Sequence, residues 1–143
     1  MTAQRRRDVL AQPPPFEMDL VDADHVVGWI HGSTIGFRGF ADETEATHAA
    51  WVAHRTLARR IARTHGMRIV PVDIEPLALE RSNDGETDII LASRRPIASL
   101  VRPGSDTRAK DSFGFELTVP SRMTEFEVRG VAYLLYRTLR MYA

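Results

Sequence analysis

The apolar residues of this chain follow two rhythms. From His25 to His31 the run His-Val-Val-Gly-Trp-Ile-His is short, β-branched and aromatic, and Thr34 to Phe40 returns with the same character after Gly32-Ser33. Such runs predict strands, and a two-residue turn containing glycine predicts a hairpin. That turn sets Ile30 opposite Ile35 and Gly28 opposite Phe37. One hairpin face then carries Val26, Ile30, Ile35 and Phe37 and reads as a core face. The other carries Val27, Trp29, His31, Thr34, Arg38 and Phe40.

After Asp42 the spacing changes to threes and fours. Ala46, Ala50, Ala53, Leu57 and Ile61 form one stripe of a long helix. Asp42 and Glu45 have the spacing of a capping box, and Gly66 suits a left-handed helix end. Alanine along the stripe lets this helix lie close to its sheet. Thr124 and Glu127 open a second helix in the same way, but its stripe is larger: Val128, Val131, Ala132, Leu135 and Leu139. The two helices should therefore sit at different depths.

Between the helices the pattern is less regular. Met67–Glu80 has strand-like residues interrupted by Pro71 and Pro76, which suits an edge or an irregular crossing. Leu77–Glu80 fits a strand or a short turn of helix. Asn83-Asp84-Gly85 marks a turn. Asp88–Ala92 and Ile97–Arg102 read as strands joined through Ser93-Arg94-Arg95-Pro96. Both are apolar on both faces, which predicts a central place in the sheet. Pro103–Ser112 is a polar loop, and Phe113–Val119 is a final strand closed by Pro120.

These elements predict an α+β fold, with an antiparallel or mixed sheet of about five to six strands and two long helices on one face. Two stretches also echo each other. Ile35-Gly36-Phe37 precedes the helix containing Arg55-Thr56-Leu57, and Phe113-Gly114-Phe115 precedes the helix containing Arg137-Thr138-Leu139. The order suggests pseudo-duplicated β-β-α units. Residues 1–18 read as a disordered tail, with Arg5-Arg6-Arg7 and a proline run. Residues 19–143 read as a single α+β domain.

Composition narrows the chemistry. At 143 residues, 43% hydrophobic and 27% charged, the chain can bury a core without staples. No apolar run suits a membrane span, no secretory signal is evident, and the expected location is the cytoplasm. With no cysteine, the sequence offers no disulfide, thiol nucleophile or Cys-based metal site. Net charge is zero, which disfavours a surface that is basic throughout. Lys110 is the only lysine. This arginine bias fits a GC-rich bacterial genome, with phosphate or carboxylate recognition as the sharper alternative.

Candidate sites are sparse. His25 and His31 stand about 20 Å apart along a strand. His48 and His54 do not share the i, i+4 spacing of a helical zinc pair. No metal or cofactor is expected. Serine elbows, dinucleotide loops and Walker patterns do not occur, so an enzyme finds no support. Asp84, Glu86 and Asp88 cluster beside a turn and read as solvated.

Binding candidates are Trp29, His31 and Arg38 on the mixed hairpin face, Trp51 beside Arg55 on the first helix, and the Arg94-Arg95 tip. A ribbon of this kind can enter a DNA groove or stack single-stranded bases, or it can pack against another element or subunit. The hairpin and helix are similar in outline to small DNA-binding domains of the integrase N-terminal kind, over about forty residues and without a shared motif. Tyr133, Tyr136 and Tyr142 exceed what one buried helix face needs and suggest a further contact surface. The leading expectation is a non-enzymatic protein-interaction or regulatory module that contacts a protein partner or itself, for instance as a homodimer. A nucleic-acid binder and a small ligand-binding protein or enzyme are the alternatives.

Overall fold

The computed structural model describes residues 16–66, 76–120 and 122–141. Most of the proposed tail, the stretch 67–75 and Tyr142 lie outside them. The described elements are β1 (Glu17–Asp22), β2 (His25–His31), β3 (Thr34–Phe40), α1 (Glu43–His65), β4 (Leu77–Arg81), β5 (Asp88–Ala92), β6 (Arg95–Val101), β7 (Phe113–Thr118) and α2 (Glu125–Met141). The strands form one sheet in the order β1-β2-β3-β7-β6-β5-β4, and every pairing is antiparallel.

The sheet has seven strands, more than the five to six expected. The additional strand is β1, which begins at Glu17, inside the span assigned to the tail. Glu17, Asp19 and Asp22 make it look polar, yet Met18 and Leu20 alternate with the acids and pack against the core. An edge strand needs only one apolar face, so this alternation is sufficient. Leu77–Arg81 resolves as a strand. The centre of the sheet belongs to β7 rather than to β5 and β6. All three are paired on both sides, and an apolar pattern alone does not rank interior positions.

The hairpin register is as expected, with Gly28 opposite Phe37 and Ile30 opposite Ile35. Ile30, Ile35 and Phe37 are buried in the core beneath the helices. Phe40 departs from its assigned face. The ladder to β7 shifts between Arg38 and Phe40, and Gly39 takes φ 102° there. This bulge turns Phe40 toward the core, where its ring lies 5.7 Å from Phe115. At the centre of the sheet Phe37 pairs with Phe115, so the two Gly-Phe runs face each other.

Both helices cover the same face. Asp42 accepts from the Glu45 amide at 2.8 Å, and left-handed Gly66 donates its amide to the Ala62 carbonyl. Thr124 and Glu127 exchange reciprocal hydrogen bonds of 3.2 Å. Alanines 46, 50 and 53 are fully buried, and the Cα atoms of α1 approach those of β7, β6, β3 and β5 within 8 Å. The α2 backbone stands further off, and its larger side chains fill the gap. Tyr136 stacks on Phe37 at 6.3 Å and donates to Asp22 at 2.5 Å. Burial, followed by this bond to Asp22, raises the Tyr136 pKa.

The β5–β6 turn holds Ser93 at φ 50° and Arg94 at φ 68°. Left-handed backbone is costly for residues with a Cβ, and glycine removes that cost at the second turn position. Arg94→Gly is expected to raise unfolding free energy by about 0.5–1 kcal/mol in denaturant titration. A decrease would count against this turn geometry.

Candidate interaction surface

Trp29, His31 and Arg38 do share the face away from the helices, but they are engaged there. Trp29 is only 1% exposed, and its indole N–H donates to Glu116 at 2.7 Å. The ring crosses β3 over Gly36, where an added Cβ would lie 2.1 Å from it. Trp29 is thus a packing residue, not an aromatic presented to bases. Arg38 donates to the Val26 carbonyl at 2.7 Å and to the Arg108 carbonyl at 3.3 Å. His31 lies 2.6 Å from Glu17 and 3.3 Å from the Arg108 guanidinium. The loop between β6 and β7 therefore reaches across this face through Arg108, and Ala109 is fully buried.

The other three candidates stand elsewhere. Trp51 is half-buried on α1 with the Arg55 guanidinium 4.9 Å above its ring, a cation–π contact. Arg94 and Arg95 are exposed at the start of β6. Val101 at the far end of β6 pairs with Gly114, as does Arg38. The two arginines therefore lie at the end of the sheet opposite Arg38.

Asp84 and Glu86 are exposed, as their turn position suggests, but Asp88 is not solvated. It is 9% exposed and takes Arg81 at 2.9 Å and Arg102 at 2.5 Å, while Arg102 also reaches Glu43 at 2.9 Å. The hydrogen bond from Arg102 is the main cause that lowers the Asp88 pKa. This chain of charges ties β4, β5 and the end of β6 to the start of α1. Arg81 faces Asp88 across the β4–β5 hairpin, whereas Glu43 is far away in sequence and joins only through the packing of α1 on the sheet.

Sequence reading missed the most open apolar surface. Among the described residues Val21 is 60% exposed, Tyr133 71%, and Phe126 and Met141 84% each. Val21 and Tyr133 rim a cavity of about 190 Å³ between β1 and α2, lined also by Met18, Leu20, Arg129 and Tyr136. The tyrosine excess on the second helix was the available signal. It divides into Tyr136, half-buried over Phe37, and Tyr133, turned outward.

A larger cavity of about 640 Å³ opens where β6 and β7 part beyond Ser99 and Glu116. It is lined by Leu57, Ile61, Ile97 and Leu117 with His54, Ser99 and Thr118. Burial lowers the His54 pKa, which leaves a neutral imidazole at pH 7. No group of three or more potential metal ligands converges among the described residues, and no described helix is long and apolar enough to cross a membrane. Compared with protein-family descriptions, with curated proteins and with solved structures, the chain gives no significant match.

Proposed function

We propose that this chain is a cytoplasmic, non-enzymatic protein-interaction module that receives an extended segment of a partner protein along β1 and α2. The observation that carries this reading is the cavity of about 190 Å³ between α2 and an edge strand, rimmed by exposed Val21 and Tyr133. Among the described residues nothing pairs with the outer edge of β1. A partner strand can add to such an edge through main-chain hydrogen bonds, while one large apolar side chain enters the adjoining pocket. A cavity of this size suits a single side chain rather than a whole small-molecule ligand. Exposed Glu17 and Asp19 favour a partner with arginine or lysine flanking that anchor. We read the paired Gly-Phe runs as the trace of a duplicated unit whose two halves took different roles, with the pocket drawing its helical wall from the second half alone.

A display library of extended peptides, selected against the whole chain, tests the reading. The expected outcome is enrichment of peptides that combine an aromatic or leucine anchor with basic neighbours. Tyr133→Glu should weaken their binding at least about tenfold, because a charge then faces the apolar anchor. Binders whose affinity is unchanged by Tyr133→Glu would contradict the proposed surface.

A further inference from the structure

The segment that suits the β1–α2 pocket has a match within this chain. The pocket takes one large apolar side chain, and the acids of β1 favour basic neighbours beside it. Arg5-Arg6-Arg7-Asp8-Val9-Leu10-Ala11 offers both, three bases followed by Val9 and Leu10. β1 presents three acids in return, Glu17, Asp19 and Asp22. The described chain begins at Phe16, which packs against the core and whose carbonyl accepts from the Gly32 amide at 2.9 Å. The basic segment therefore leaves the fold beside the strand whose charges it complements.

We propose that residues 5–11 of one copy add antiparallel to β1 of a second copy, reciprocally, with Leu10 seated in the β1–α2 pocket. This names the partner of the proposed β1–α2 contact and rests on that proposal. With Leu10 opposite Met18 of the second copy, strand alternation sorts the charges. Met18 and Leu20 pack toward the core, and Asp22 receives Tyr136 of α2, so these three share the helix side of β1. Leu10, Asp8 and Arg6 then fall on that side. Asp8 meets Arg129, which lines the pocket, and Arg6 stands opposite Asp22. On the outer side Arg7 is diagonal to Asp19, and Val9 lies beside exposed Val21. No like charges stand directly opposite.

Reach directs the segment to a second copy rather than back onto its own β1. Pro13-Pro14-Pro15 separates Leu10 from Phe16, and a run of prolines favours an extended spacer of about 3.1 Å per residue. The spacer covers about 9 Å, and returning over it uses three more residues at about 3.3 Å each. Leu10 would then stop level with Phe16, short of the pocket along Met18–Val21. Extended outward, the six residues from Phe16 to Leu10 span about 20 Å, enough to reach a facing copy. Reciprocal exchange closes as a two-fold dimer. It is reversible, so dilution leaves the β1 edge open to other segments.

Sedimentation of the full chain should show a dimer that dissociates on dilution. Leu10→Asp should raise the dissociation constant at least about tenfold with an unchanged circular dichroism spectrum. Asp8→Arg and exposed Arg129→Asp should each weaken the dimer about tenfold, and combining them should restore it. A synthetic peptide of residues 4–12, added to the Leu10→Asp chain, should protect the amides of Glu17–Asp22 from exchange. A full chain that stays monomeric at high concentration would overturn the proposal. So would a dimer indifferent to Leu10→Asp, or one that the double charge exchange fails to restore. If library-selected peptides protect β1 and the peptide of residues 4–12 does not, this inference alone falls. If neither protects it, the β1–α2 reading falls as well.

Discussion

Replacing Gly36 with alanine is expected to cost about 3 kcal/mol or more of folding stability. The added Cβ would lie 2.1–2.4 Å from Cε2, Cζ2 and Nε1 of Trp29, distances no packed structure tolerates. The indole is only 1% exposed and is held from the far side by Glu116, so it has no free direction in which to yield. Gly36 is not among the left-handed glycines, so the effect is one of space rather than of backbone strain. Denaturant titration gives the size of the loss. Trp29 emission in a Trp51→Phe background should shift to the red as the ring moves into water. A loss below about 1 kcal/mol would mean that the indole does not cross β3 at this point.

Asp88→Ala is the second large effect, expected at about 2–3 kcal/mol near neutral pH. Removing one member of a buried charge group leaves the others uncompensated, and the figure is reduced because Arg81 and Arg102 are roughly half exposed. The pH dependence has a definite sign. Arg102 and Arg81 hold the folded Asp88 pKa below the ordinary aspartate value of 3.8. The resulting stability is therefore fully present above 3.8 and is lost as pH falls through the lower, folded value. Wild type should approach the Asp88→Ala variant in stability as the solution is acidified across that window. A difference that stays constant with pH would contradict the ionised, paired state of Asp88.

These two sites show what the sequence could and could not disclose. The hairpin register, both capping boxes and the left-handed Gly66 were legible because each depends on residues a few positions apart. The unequal depths of the helices were legible too, since alanine and leucine stripes set different approach distances. Burial of Trp29 was not. Its parity puts it on the outer face, and nothing local shows that the ring would lie over Gly36 and bond Glu116 on β7. Phe40 changed sides through one bulged glycine, which a strict two-residue period cannot register. Asp88 looked like a turn acid until strand order brought Arg81 and Arg102 beside it. β1 is hard to read in the sequence because its acids mask an alternation in which only Met18 and Leu20 carry the apolar signal.

The revised distribution of exposed surface changes which functional expectation is best supported. The mixed hairpin face loses its presented tryptophan, and its charged members are mutually engaged. The outer face of α2 and the neighbouring β1 edge gain what that face lost, through Val21, Phe126, Tyr133 and Met141. An apolar display of this kind, beside a strand edge that nothing pairs with among the described residues, supports a contact surface more readily than a chemical site.

Amide hydrogen exchange of the whole chain, with and without a peptide selected from the display library, tests that central claim most directly. Strand addition predicts strong new protection of backbone amides within Glu17–Asp22, together with slower exchange in the turn of α2 that contains Tyr133. Protection confined to β4, to the cavity between β6 and β7, or to the Arg94-Arg95 tip would contradict the account and move the interaction site elsewhere.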